Sequence, residues 1–284
     1  MNSEPMPLLI MGGDGRIGQA LRAQALAFEA VGLRPLWQSR RPKPGAMTWD
    51  ILAKPCPQGA ASGVILCLAG VIRGTPEALA ANQALAMAAC KAATAQGAKH
   101  VFLASSAAVY GACDIALSEQ AIPAPLGDYG RAKLAMENAA LGWHQPEGPG
   151  LTILRIGNVA GLDALLGGLK PGQPAQLDPV MGQSGGPVRS YIGPQSLGAV
   201  LAQLAGNAVA GKPLPKILNI AGAPPVRMGD LLDAAGADWR YGAPNPAVLP
   251  KVELDVRLLA ECVDLPPSAG QPAAMVAEWR DLAK

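Results

Sequence analysis

The chain has 284 residues, 50% hydrophobic and 15% charged, with 23 basic side chains against 21 acidic ones and a net charge of +2. This composition suits one sizeable folded α/β domain with a smaller lobe; it excludes a disordered chain and gives no general pull toward nucleic acid or an anionic membrane. Five cysteines without a C-x-x-C spacing (Cys56, Cys67, Cys90, Cys113 and Cys262) and only two histidines, His100 and His144, argue against a disulfide framework and a metal site.

The first predicted element is a strand over 7–12, running into Gly12-Gly13-Asp14-Gly15-Arg16-Ile17-Gly18 and then a helix over 16–30. Strand, glycine turn and helix start form a cradle for a pyrophosphate, where backbone N–H groups and the helix dipole meet the phosphates. Two registers overlap: Gly13, Gly15 and Gly18 fit G-x-G-x-x-G, while Gly12, Gly15 and Gly18 fit G-x-x-G-x-x-G. A plain glycine-rich turn without a ligand is the alternative. A second strand is expected over 33–38, and its end reads Trp37-Gln38-Ser39-Arg40-Arg41. An acid there would bind a ribose 2′-hydroxyl. None is present, so Ser39 and Arg40 are expected to hold a 2′-phosphate by charge-assisted hydrogen bonds, with Arg16 as a second cation. The alternative is that these arginines are solvated surface charges.

Strands over 47–49 and 64–69 follow, the latter placing Cys67 as a small core residue. An alanine-rich helix is expected over 77–96, a strand over 101–105 ending near Ser105-Ser106, a helix over 129–142 and a strand over 151–156. Short apolar runs alternating with helices are the mark of βαβ units and a parallel sheet. Between Gly161 and Gly186 the chain is rich in Gly, Pro and Leu with little periodicity. Residues 217–220 look like a returning strand, 227–235 and 273–283 like helices, and proline clusters at 244–250 and 266–272 like loops. The expected division is a dinucleotide-binding domain over 1–160 that also receives about 187–222, and a substrate lobe from 161–186 and 223–284.

Tyr129 and Lys133 lie four residues apart, on one face of their helix. A phenol with a pKa of about 10 is a poor base, and a nearby ammonium lowers that value. With a serine hydroxyl to hold a substrate oxygen, the pair makes a proton-transfer device suited to an alcohol or a carbonyl.

Together these segments resemble the short-chain dehydrogenase/reductase superfamily, in its extended, epimerase/dehydratase-like branch. The resemblance runs through Gly12-x-x-Gly15-x-x-Gly18, Asp50-Ile51, Leu68-Ala69-Gly70, Asn82, Ser105-Ser106-Ala107-Ala108-Val109-Tyr110-Gly111, Tyr129-Gly130-Arg131-Ala132-Lys133, Arg155-Ile156-Gly157-Asn158-Val159-Ala160-Gly161 and Arg189-Ser190-Tyr191-Ile192. It implies a Rossmann-type, doubly wound parallel sheet with a smaller C-terminal substrate lobe, and a nicotinamide cofactor, NADP(H) with NAD possible. It implies that Ser106, Tyr129 and Lys133 are catalytic. Tyr129 would move the proton. Lys133 would also bind the nicotinamide ribose, and Ser106 would hold the substrate oxygen.

Cofactor contacts are further implied for Gly12, Gly15, Arg16, Ile17 and Gly18 in the turn, for Ser39 and Arg40, for Asp50 and Ile51 at the adenine, and for Leu68, Ala69 and Gly70. Asn82 would support a relay water, and Asn158, Arg189 and Tyr191 would face the substrate. The branch commonly acts on sugar nucleotides or related hydroxy and keto compounds, and often pairs this alanine-rich helix with the Tyr-Lys helix in a homodimer. Net oxidation or reduction with an exchangeable cofactor is expected. Epimerisation or dehydration with a retained cofactor, and a non-catalytic NADP(H) sensor, are the alternatives. A cytoplasmic location is expected, because no apolar run nears the roughly eighteen residues of a membrane span and no leader pattern opens the chain.

Overall fold

The computed structural model describes residues 4–57, 63–112 and 114–282; Cys113 lies outside them. The run before the glycine turn is strand β1 (Met6–Met11), buried from Leu8 onward. Its side chains alternate between the two faces of the sheet, as a strand's must. Leu8 and Ile10 enter one core with Phe28 and Leu201, while Leu9 and Met11 enter another with Ala89 and Met136. Helices therefore cover both faces.

The helix expected over 16–30 is two helices, α1 (Arg16–Arg22) and α2 (Ala25–Glu29). The break has a local cause. The Gln24 side-chain amide donates to the Ala20 carbonyl and to that of Pro194, each at 3.0 Å, while its backbone N–H falls back to Leu21. The side chain takes the acceptor that the next helical turn would use.

Next come β2 (Leu33–Ser39), β3 (Ala46–Thr48) and β4 (Val64–Cys67), then α3 (Pro76–Gln96). The Thr75 hydroxyl accepts from the Ala78 N–H and Pro76 opens the helix, while Gly97 closes it in the left-handed region. Strand β5 (His100–Ser106), α4 (Asp128–Trp143) and β6 (Gly150–Ile156) follow.

Short elements come next: β7 (Asn158–Val159), β8 (Ala175–Leu177), β9 (Val188–Arg189) and β10 (Tyr191–Ile192). Helix α5 (Pro194–Val209) leads to β11 (Ile217–Ile220). The chain ends with β12 (Val226–Arg227), α6 (Met228–Ala234), β13 (Trp239–Tyr241), β14 (Lys251–Val252), α7 (Arg257–Cys262) and α8 (Pro272–Asp281).

Seven strands make one parallel sheet in the order β11-β6-β5-β4-β1-β2-β3. The order reverses at β1, which pairs with β4 on one side and β2 on the other. In such sheets ligands bind beyond the strand C-termini at that reversal. Helix α5 was not foreseen, although its buried Leu197, Val200, Leu201, Leu204 and Ala208 recur at helical spacing.

The smaller lobe is built of two- and three-residue strands: β9 lies between β12 and β14, β8 pairs with β13, and β10 pairs with β7. Its core joins Leu166, Leu177, Val226, Leu231 and Met275. Helix α7, within the segment 223–284, packs its Leu259 in the large core with α5. Among the described residues no helix is long and apolar enough to cross a membrane.

Candidate active site

The turn after β1 needs glycine at two places. Gly12 has φ +84°, and a Cβ there would come within 2.6 Å of the Ala69 nitrogen. A Cβ on Gly18 would come within 2.5 Å of the Gly12 carbonyl oxygen. Gly18 belongs to both registers, and the positive φ and close approach at Gly12 favour the Gly12, Gly15, Gly18 one. The turn is tied down from β2: the Gln38 side chain accepts from the Gly12 N–H at 2.8 Å and donates to the Trp49 carbonyl at 2.6 Å. From below, Arg22 donates to the Gly13 carbonyl at 3.3 Å and stacks 4.7 Å from the Trp37 ring centre. The reading of the sequence missed Gln38. A lone buried amide at the end of an apolar strand was its only signal.

Beside the turn is a cleft of about 590 Å³, lined among others by Gly12, Asp14, Gly15, Ser39, Arg40, Asp50, Ile51, Leu68, Ala69 and Gly70. Its size falls within the usual range of small-molecule sites. The turn, β2 and its end, the segment after β3, the segment after β4 and helix α3 meet here. Three predicted neighbours do other things. Arg16 turns away and donates to the Leu162 carbonyl at 2.8 Å, joining the turn to the segment after β7. Ile17 packs against the large core, and Gly18 lies under the turn. Arg16 is thus a strut and not a second phosphate cation.

The expectation that Ser39 holds a phosphate also changes. Its hydroxyl meets the Asp14 carboxylate, with the Arg41 carbonyl at 2.7 Å as a competing acceptor. Lys43 donates to the other Asp14 oxygen at 2.9 Å. The Ser39 hydrogen bond, then Lys43, hold the Asp14 carboxyl below its usual range, with a smaller contribution from Arg22.

Next to the cleft, on the side of Gly70, stand β5 and α4. Ser106 closes β5 beside Tyr129 on the first turn of α4, and its hydroxyl accepts the Ala108 N–H at 3.2 Å. Lys133 stands one turn further on, with its ammonium 5.9 Å from the Tyr129 ring centre. It is 4% exposed and donates to the Ala104 carbonyl at 2.8 Å. Burial pulls Lys133 down to about 8, against the opposing pull of Cys67 and Glu137. Burial raises Tyr129 above its ordinary value, and the Ser106 hydroxyl works against that. Tyr129 thus stands raised and not lowered as expected: burial is the largest influence on the phenol, and the Lys133 ammonium is directed at the Ala104 carbonyl.

Gly70 links the cleft to this group: a Cβ there would meet Asn82 Oδ1 at 2.9 Å and Lys133 Nζ at 3.2 Å. Asn82 is a clamp. Its side chain takes the Val71 N–H and donates to the Val71 and Leu79 carbonyls, both at 2.8 Å. Both amide hydrogens are committed, so it holds the segment after β4 instead of a relay water.

Under the reacting end lies a charged network that the sequence reading did not foresee. Glu137, one more helical turn beyond Lys133, accepts from Ser105 at 2.5 Å and from Arg155 at 2.7 Å. Arg155 also donates to the Tyr110 hydroxyl at 2.9 Å, which meets Asn219 at 2.9 Å. Glu137 was legible as the third member of a four-residue spacing, Tyr129, Lys133, Glu137.

Of the residues expected to face the substrate, Asn158 follows β6, whose Ile156 is paired with Ser106. Tyr191 is fully buried, and its hydroxyl donates to Asp163 at 2.8 Å. It packs in the core of the smaller lobe and leaves no exposed surface for a substrate. Arg189 sits half-buried on β9 and donates to the neighbouring Val188 carbonyl.

The glycine turn, the order reversal at β1 and the strand-end cleft fit a dinucleotide: the turn leaves no room for side chains where phosphates pass. Residues 8–168, more than half of the chain, match a family described as NAD dependent epimerase/dehydratase. No curated protein matches. Among solved structures the chain is similar to UDP-glucose-4-epimerase of Stenotrophomonas maltophila with bound NAD and formylated UDP-arabinopyranose, with TM-score 0.77 and 18% identity over 98% of each chain. It is similar to TunA, an NAD dependent NDP-hexosamine 5,6-dehydratase, with TM-score 0.76 and 18% identity over 98% of this chain and 100% of the other. It is also similar to DesIV, a dTDP-glucose 4,6-dehydratase of Streptomyces venezuelae with NAD bound, with TM-score 0.72 and 20% identity over 97% of each chain. At these identities the likeness is one of fold.

Proposed function

The chain belongs to the NAD dependent epimerase/dehydratase family, a family of enzymes, and on that premise we propose that it is an NAD(P)-dependent oxidoreductase of the extended short-chain dehydrogenase/reductase type. It would act at a hydroxyl or carbonyl carbon of a sugar nucleotide or a related small molecule. The observation that carries this reading is the meeting of Ser106, Tyr129 and Lys133 beside Gly70, which lines the cleft at the glycine turn.

A bound nicotinamide supplies the acceptor or donor of the hydride. The protein's part is to bind, orient and move a proton. In the oxidising direction Tyr129, as its phenolate, would take the proton of the substrate hydroxyl as the carbon gives up its hydride; in the reducing direction the neutral phenol would return it to the carbonyl oxygen. Ser106 donates a hydrogen bond to that same oxygen and fixes its approach. Lys133, near the phenol and buried, offers a charge whose field in this dry setting exceeds what it would have in water, and its ammonium would bind the ribose.

A second reading is epimerisation or dehydration with a retained cofactor, favoured by the family match and by the activities of the similar structures. A non-catalytic sensor is the weaker alternative, because the proton-moving set is intact. For the cofactor, Arg40 and Arg41 at the cleft rim support NADP(H), and the Asp14 carboxylate opposes it. A homodimer is proposed through the outer faces of α3 and α4, which expose small residues such as Ala80, Ala84 and Ala135, and a cytoplasmic location goes with it. Light scattering tests the dimer.

The function is tested by incubating the purified protein with UDP- and dTDP-sugars and each dinucleotide. Net change in the cofactor's redox state supports the oxidoreductase. Sugar conversion without net change, by a protein that carries non-dialysable cofactor, supports the second reading. No conversion and no cofactor binding would sink both.

A further inference from the structure

At the tip of β2 the position of a ribose-reading acid is held by Ser39, yet an acid reaches the place from elsewhere. Asp14 projects from the glycine turn, meets the Ser39 hydroxyl and lines the same cleft as Arg40, Arg41 and Asp50. Its carboxylate is held on both oxygens, by Ser39 on one and Lys43 on the other. An ionised carboxylate offers about four acceptor positions, so both partners leave room for hydroxyl donors.

We propose that Asp14 sets the choice of cofactor: its carboxylate stands in for the missing acid of β2 and accepts the ribose 2′-hydroxyl, so the enzyme prefers NAD(H) to NADP(H). The inference rests on the proposed nicotinamide-dependent function. Two facts oppose a 2′-phosphate here. The Ser39 hydroxyl, its expected donor, is committed to Asp14 or to the Arg41 carbonyl. A phosphate at Ser39 would also bring a second anion against the Asp14 carboxylate, and like charges in contact disfavour one another. Arg40 and Arg41 do not reverse this. Both are exposed at the rim, where water and salt screen them, and a planar guanidinium there can stack on the adenine instead. The position of Asp14 explains why the sequence pointed the other way: the acid belongs to the turn, twenty-five residues before Ser39.

The test is a fluorescence titration of NADH and NADPH into the full chain, as wild type, Asp14→Asn and Arg40→Ala. The wild type is expected to bind NADH at least about tenfold tighter, a difference of about 1.4 kcal/mol. Asp14→Asn keeps an acceptor for Ser39 and removes the charge, and should bring the two affinities level or reverse them. Arg40→Ala should leave the NADH preference in place. A wild type that binds NADPH as tightly as NADH overturns the inference, whether or not the variants fold. So does an Asp14→Asn affinity ratio within about twofold of wild type. If neither dinucleotide binds, the proposed function fails and takes this inference with it; binding with the wrong ratio overturns the inference alone.

Discussion

Glu137 and Arg155 lie beneath the reacting end, joined at 2.7 Å with 1% and 3% of their side chains exposed. Asp14 and Lys43 lie beside the glycine turn, joined at 2.9 Å with 42% and 46% exposed. The two pairs have the same chemistry and opposite surroundings. The buried pair is hydrogen-bonded to Ser105 and Tyr110 and so connects α4, β5, β6 and, through Asn219, β11. It cannot open to a ligand without leaving a charge in a dry interior. The exposed pair can exchange a partner for a ligand at little cost, because water already shares both charges. One pair holds α4 against the sheet; the other stands open to solvent beside the glycine turn.

The widest separation between the pairs should come from breaking each. Arg155→Met leaves the Glu137 carboxylate buried without its cation and should cost about 3–5 kcal/mol in urea unfolding. Arg155→Met combined with Glu137→Leu should recover part of that loss. A cost below about 1 kcal/mol would mean that the buried pair behaves like the exposed one.

Lys133 sharpens the contrast through pH. Its folded value of about 8 lies below the usual 10.5. The unfolded chain then binds more protons between these values, so stability rises with pH across that window. Burying the charged form costs at most about 3 kcal/mol, felt in full below pH 8. The wild type should therefore gain on Lys133→Met as pH climbs from 8 toward 10.5, measured by denaturant midpoints. A constant difference would mean that Lys133 is not depressed. The smallest effect is expected at the exposed pair: Lys43→Ala should cost under about 1 kcal/mol, and less as salt is added.

What was legible in the sequence follows the same division. The glycine turn and the face of Tyr129 and Lys133 are set by covalent spacing, so they could be read directly, and Glu137 stood one turn further in plain view. The parallel sheet was legible because each strand is an apolar run of its own. Contacts that depend on the fold were not. Gln24 breaks a helix by reaching Pro194, 170 residues away. Tyr191 is taken by Asp163, and Ser39 by Asp14, through pairings without local pattern. The strands of the smaller lobe are two or three residues long, too short for any period to show.

The central claim is that Tyr129 moves the proton while the glycine turn holds the cofactor. Tyr129→Phe removes one hydroxyl and keeps the ring. Measured side by side on a converted sugar nucleotide, its turnover should fall by at least about a hundredfold, while its affinity for the dinucleotide stays within about twofold of wild type. Turnover near the wild-type level would contradict the account.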